Sequence, residues 1–130
     1  MKKPVILEVN GKKYTFLFTN RSLAMVERSI GRSILSILNG NQFSIIRDMT
    51  IEVTAASIKY GMQELGQKDP YDVIDEICDD GGLLDHINEA ILEAWFNTGI
   101  FFKWAGTPAP QEMKATEERA PVKKRRKENQ

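Results

Sequence analysis

The sequence predicts a mainly α fold: a small helical domain with an N-terminal β-hairpin and a disordered basic C-terminal tail. Three observations predict it. Two short runs rich in β-branched and aromatic residues flank an Asn-Gly pair near the N-terminus. Apolar residues then recur at three- and four-residue spacing as far as Trp104, and large apolar side chains nearly vanish from Gly106 onward. The 130 residues suit one domain. We therefore divide the chain into a hairpin-plus-helices domain over residues 1–104 and a charged tail over residues 105–130.

The hairpin comes first. Val5-Ile6-Leu7-Glu8-Val9 and Tyr14-Thr15-Phe16-Leu17-Phe18 read as strands. Asn10-Gly11 between them tolerates positive φ at both positions, as a type I′ turn demands. Tyr14, Phe16 and Phe18 share one face of the second strand, with Thr15 and Leu17 on the other. A lone hairpin is marginal in water, so the helices downstream must cover that face.

Thr19-Asn20 offers an N-cap. Leu23, Val26, Ile30, Ile34 and Ile37 or Leu38 follow at helical spacing. Gly31 interrupts them and predicts either one weakened helix or two short ones. Asn39-Gly40-Asn41 should end the segment in a left-handed cap. A second helix should begin near Ser44, bury Ile51, Ala55, Ile58, Met62 and Leu65, and stop at Gly66. Asp69-Pro70 starts a third, with Asp as N-cap and Pro at the first helical position, running to Asp80-Gly81-Gly82. The last helix should span Leu83 to Trp104, with apolar residues covering most of its circumference near its end.

Charge is unevenly placed. Lys plus Arg and Asp plus Glu are each 18, a zero balance that excludes a uniformly basic nucleic-acid binder. Residues 1–104 carry 11 basic and 14 acidic side chains, and residues 105–130 carry 7 and 4. From Asp69 to Glu93 there are nine carboxylates and no Lys or Arg. The tail interrupts itself with Pro108, Pro110 and Pro121 and carries Lys123-Lys124-Arg125-Arg126-Lys127. It has too little apolar surface to offset its ordering entropy.

No constellation in the chain points to catalysis. His86 is the only histidine, and a metal site built on it would need a second ligand pair that the sequence lacks. An EF-hand alignment over Asp75 to Gly82 puts Ile77 where an oxygen ligand belongs, so the acidic run reads as a solvated helix face. Cys78, four residues after Ile74, reads as a buried inert thiol. There is no Gly-x-Gly-x-x-Gly, Walker or Gly-x-Ser-x-Gly motif. We therefore expect a non-enzyme without metal or cofactor. No run of 18 apolar residues spans a membrane, and the apolar stretch at Val5 ends too soon for a signal peptide. A reducing cytoplasm is the expected compartment.

Two features suggest partners. Trp95, Phe96, Phe101, Phe102 and Trp104 crowd into ten positions, more aromatic area than one helix face needs to bury, which marks a candidate surface for a partner or for self-association. The basic run Lys123, Lys124, Arg125, Arg126 and Lys127 is a candidate electrostatic contact with nucleic acid or an acidic surface, or a solubilising tail. It has no interleaved aromatics to stack on bases, and the acidic body repels phosphates, so nucleic acid is disfavoured.

The stretch from Tyr14 to Ile34 carries a resemblance. Leu23-Ala24-Met25-Val26-Glu27-Arg28-Ser29-Ile30-Gly31-Arg32-Ser33-Ile34, following a strand pair, resembles the "L-A-x-[LIV]-E-x-x-[LIVT]-G-x-S-[LI]" pattern of the tail assembly chaperones of long-tailed phages, prophages and gene-transfer agents. The Ile51–Met62 helix with its Tyr60-Gly61 and the Leu83–Phe102 helix fit the family's later elements. The motif covers about twenty residues and contains no catalytic group; the acidic zone and the aromatic-rich last helix depart from the family pattern. The resemblance implies a protein that coats the tape-measure protein, recruits tail tube subunits before polymerisation, acts in the host cell cytoplasm and is absent from the mature virion. It also implies a longer product made by ribosomal frameshift, for which the codons of Lys123-Lys124 are a candidate slippery run. The competing readings are a structural tail or head-completion component and a small nucleic-acid-associated regulator.

Overall fold

The computed structural model describes residues 3–101. Its elements are β1 (Val5–Val9), β2 (Lys12–Phe16), α1 (Asn20–Ile30), α2 (Ile34–Leu38), α3 (Gln42–Asp48), α4 (Ile51–Gly61), α5 (Pro70–Asp79) and α6 (Leu84–Phe96). The fold is mainly helical with an N-terminal two-stranded antiparallel hairpin. The charged tail expected over residues 105–130 lies outside the described residues.

The hairpin turns as its Asn-Gly pair dictates: Asn10 has φ 52° and Gly11 φ 81°, the two left-handed residues of a type I′ turn. Because that turn takes only two residues, Lys12 and Lys13 join the ladder opposite Val9 and Glu8. β2 thus begins two positions earlier than the apolar run suggests, and it ends at Phe16. Beyond it the chain leaves β1 and meets the end of α4. Leu17 N–H donates to the Gly61 carbonyl (2.9 Å) and Gln63 N–H to that of Thr15 (2.8 Å). Tyr14, Phe16 and Phe18 all point inward and are buried.

The fixed positions of the Leu23–Ile34 motif, apart from the exposed Ala24, have structural roles. Thr19 caps α1, its Oγ1 accepting from Ser22 N–H (3.1 Å) while Ser22 Oγ accepts from Thr19 N–H (2.7 Å). Leu23 and Val26 enter the core. Gly31 closes α1 at φ 74°, a conformation that costs any residue with a Cβ. Glu27 reaches across the break to accept from Ile34 N–H (2.8 Å), and Ser33 Oγ accepts from Ser36 N–H (3.0 Å), so both start α2. Of the two arrangements that Gly31 allowed, the chain takes two short helices.

The next segments differ from the periodicity. Neither Asn39 nor Gly40 is left-handed. Asn41 instead caps a new helix, accepting from Ser44 N–H (2.9 Å). The single helix expected from Ser44 to Gly66 is two: α3 stops at Met49, and Thr50 caps α4 by accepting from Val53 N–H (3.2 Å). Ile51, placed on the core stripe by spacing, is exposed, because as the first residue of α4 it precedes the turn that packs. The stripe itself holds from Ala55 through Ile58 to Met62 and Leu65, all buried. α4 ends at Gly61, since the chain must extend there to pair Met62 with Phe16.

Pro70 opens α5 as the spacing predicts, with the Asp69 carboxylate accepting from Tyr71 N–H (2.8 Å). α6 stops at Phe96, well before Trp104, where Asn97 caps it and Gly99 turns the chain at φ 85°. Asn97 Nδ2 donates to the Lys3 carbonyl (3.2 Å), tying the end of α6 to the start of β1.

The core lies between the inner face of the hairpin and α1, α4, α5 and α6. Phe16, Val26, Ile58, Ile77, Ile87, Ile91 and Trp95 are each 0% exposed. α4 runs through its middle, buried at every position from Val53 to Ile58.

Candidate partner-binding surface

The aromatic cluster proposed from sequence is split by the fold. Trp95 is 0% exposed and Phe101 6%, so both are core residues. Trp95 lies on the inward row of α6 with Ile87 and Ile91, and the early end of α6 explains Phe101. After Gly99 the chain folds back, and Phe101 meets Phe96 edge-on with ring centroids 6.4 Å apart at 79°. Phe96 is half-buried against the core. Excess aromatic area on one long helix, the premise of a surface cluster, is absorbed for Phe96 and Phe101 by the turn and for Trp95 by the core. Phe102 and Trp104 lie outside the described residues, as do Lys123, Lys124, Arg125, Arg126 and Lys127.

The exposed apolar surface is elsewhere. α3 has no buried residue. Phe43 is 81% exposed and Ile46 60%, one turn apart on its outer side, and Ile51 lies exposed just beyond it. α3 is held mainly by α2, by partial packing of Ile45, and by Arg32, whose guanidinium pairs with Asp48 (3.4 Å). A phenylalanine this open on an ordered helix leaves roughly 150 Å² or more of ring in water. Sequence periodicity could not single it out. Ile45 and Met49, the residue that caps α3, form one apolar row, Phe43 and Ile46 form another, and spacing alone does not say which faces inward.

The acidic zone resolves into two parts. Asp72, Asp75 and Asp79 are solvated on α5. Glu76 and Asp80 are engaged, and their cations come from outside the run: Lys12 from the hairpin turn lies 3.6 Å from Glu76 and 3.3 Å from Asp80, and Lys68 lies 3.4 Å from Glu76. Tyr14 Oη donates to Glu76 (2.8 Å). This cluster clamps the hairpin onto α5. Burial, then the hydrogen bond to Glu76, pushes the Tyr14 hydroxyl up to about 12. The same hydrogen bond, then Lys68 and Lys12, hold the Glu76 carboxyl below its usual value against some desolvation. Lys12 is raised, first by its hydrogen bond to Asp80.

The remaining candidates are plain. His86 Nδ1 accepts from Leu83 N–H (3.2 Å), so the imidazole caps α6. Cys78 is exposed, contrary to the buried thiol expected from its spacing. The inward row of α5 is Val73, Ile74 and Ile77, and Cys78 falls past its edge in the last turn. Among the described residues no three His, Cys, Asp or Glu side chains gather as a metal site. No described helix is long and apolar enough to cross a membrane. No family model, curated protein or solved structure matches the chain.

Proposed function

We propose that this protein is a tail assembly chaperone of a long-tailed phage, prophage or gene-transfer agent. It binds the tape-measure protein and helps recruit tail tube subunits in the host cytoplasm, without catalysis and without entering the virion. The observation that carries a binding role is the outer side of α3, where Phe43 and Ile46 stand open on a helix that contributes nothing fully buried to its own fold. An apolar patch of this kind suits the apolar stripe of an amphipathic helix. The family resemblance names that helix as the tape-measure protein. The Leu23–Ile34 motif supports the resemblance at the level of fold, since its residues cap and break helices.

The test is to look for a tape-measure gene beside this one and to co-express the two products. Phe43→Ser with Ile46→Ser should lower co-purification about tenfold, the loss of one good anchor, with the fold unchanged. Undiminished binding by that variant, lost instead on deleting residues 102–130, would move the contact to Phe102, Trp104 and the basic run. Failure of the wild-type chain to bind tape-measure protein at all would remove the chaperone role.

A further inference from the structure

We infer that the outer edge of β1 is a pairing site for the same edge of a second copy of this chain, in one antiparallel register centred on Leu7. The argument starts from the hairpin ladder. A two-residue turn makes its flanking pair, Val9 and Lys12, a hydrogen-bonded one, and such pairs alternate along an antiparallel ladder. Leu7–Tyr14 and Val5–Phe16 are therefore hydrogen-bonded, while Ile6–Thr15 and Glu8–Lys13 turn their backbone groups outward. β2 agrees with this phase. Thr15 does point outward, its carbonyl accepting from Gln63 N–H (2.8 Å) and its own N–H donating to Glu64 (2.7 Å).

The two edges of the hairpin thus differ. That of β2 is covered by the chain from Gly61 to Glu64. That of β1 presents the N–H and C=O of Ile6 and Glu8, and among the described residues nothing bonds to them. Both residues are exposed, Ile6 by 58%, and Leu7 between them is only partly buried. Unpaired strand edges are templates for another strand.

The sequence of this edge selects its occupant and register. With the two-fold axis at Leu7, Ile6 of each copy exchanges both backbone bonds with Glu8 of the other, so all four outward groups on each edge are satisfied. Leu7 meets its own copy as a close, non-hydrogen-bonded pair, Cα atoms about 4.5 Å apart, and closes the remaining exposure of that side chain. Shifting the axis to Ile6 would set Glu8 against Pro4, which has no N–H to give. Shifting it to Glu8 would oppose two carboxylates. In the Leu7 register each Glu8 faces an isoleucine and keeps Lys13 of its own chain beside it, so no like charges are opposed. Among the described residues each copy has one such open edge, so the pairing closes at two rather than growing into a ladder. A five-residue edge buries less than the roughly 800 Å² per partner of a standard interface, so the dimer should be weak and concentration-dependent.

This inference does not rest on the chaperone reading, and its test uses the full-length chain alone. Sedimentation equilibrium up to about 1 mM should show a monomer–dimer equilibrium. Ile6→Glu sets two directly opposed like-charge pairs across the interface and should weaken the dimer about tenfold. Ile6→Lys puts a cation opposite Glu8 of the other copy and should leave it as tight or tighter. In a Cys78→Ser background, Leu7→Cys should oxidise to a covalent dimer, because non-hydrogen-bonded antiparallel partners lie within disulfide reach. Melting temperatures of all variants should report folded monomers. A wild-type chain monomeric throughout the range overturns the proposal. So does equal weakening by Ile6→Glu and Ile6→Lys, which would signal a mere apolar patch, and so does a dimer abolished by Phe43→Ser but not by Ile6→Glu.

Discussion

α3 and α4 are neighbours in sequence with similar apolar content, and the fold treats them oppositely. α4 is buried on every side over two turns, even at Thr54 and Ser57, both 0% exposed. Thr54 Oγ1 donates to the Asn88 side chain and contacts the Thr50 carbonyl, so the polar group is satisfied across to α6. α3 buries nothing fully and displays a phenylalanine. The difference lies in what packs around each helix. α1, β2, α5 and α6 all pack on α4, whereas α3 touches chiefly α2. Stability is concentrated in α4, and α3 is left with surface that the described chain does not use. Substitutions in the two should therefore separate folding from binding.

The largest effect should come from the centre of α4. Ile58→Asp would place an unpaired carboxylate in a fully enclosed site, costing several kcal/mol, more than many domains this size can lose. Thermal denaturation should find it unfolded or molten at room temperature. Ile30→Asp, which the helical stripe ranks with it, should be milder. Ile30 ends α1 and is only partly buried, so a carboxylate there can reach water.

Next is Gly61, at the end of α4. A Cβ there would collide with the ring of Phe18, which is 1% exposed and cannot swing away. Gly61→Ala should cost about 1–3 kcal/mol, as overpacked cores do, read from the midpoint of urea unfolding. The contrast with Gly11 and Gly31 is instructive. Those two are needed for positive φ and have open space around them, whereas Gly61 is needed for close approach.

How much of this the sequence discloses follows from the range of the forces involved. Local chemistry was legible: the Asn10-Gly11 turn, the Thr19 cap, the break at Gly31 and the Asp69-Pro70 start all act within four residues and appear where the residues put them. Some departures are local, as at Asn39-Gly40 and the Thr50 cap, and others fall where a distant partner decides. α4 ends at Gly61 because Met62 is drawn to Phe16, and the end of α6 is tied by Asn97 to Lys3 at the start of β1. The hairpin could be read, but not that its second edge is covered from Gly61 onward while its first is open. The sequence leaves Asp80 without a cation because Lys12, which reaches it and shares Glu76 with Lys68, lies far upstream. Composition alone marks Trp95 and Phe101 as candidate surface, because it counts side chains and not the packing and turns that enclose them.

The clamp between hairpin and α5 should have a smaller, pH-dependent effect. Tyr14→Phe should cost about 1 kcal/mol near neutral pH, by losing a hydrogen bond to a carboxylate. The unfolded tyrosine releases its proton near pH 10, while the folded one keeps it up to about 12. Between those values the unfolded chain binds fewer protons, so stability falls as pH rises, and the gap between wild type and Tyr14→Phe should narrow there. On the acid side the sign reverses. Glu76 is depressed, so its contribution is present above its ordinary value of 4.5 and is lost as pH falls through its lowered one. Melting temperatures of both proteins across pH 2–12 would check each arm. A gap constant above pH 10 would mean that the hydroxyl is not held by Glu76.

The smallest effect on folding should belong to α3, and that near-absence is informative. Phe43 is mostly in water, so truncating it removes little buried area and leaves no cavity; Phe43→Ser should change unfolding free energy by no more than about 0.5 kcal/mol. The polar residue should even raise solubility, because an open aromatic ring on a helix favours non-specific association. A loss as large as that of Gly61→Ala would mean that the ring is covered in the folded protein, by residues beyond 101 or by another copy. The opposition between a structural α4 and a free α3 would then fail. An unchanged midpoint together with weaker partner capture would sharpen it. A side chain that contributes nothing to folding and something to binding is what distinguishes a docking helix from one that is merely poorly packed.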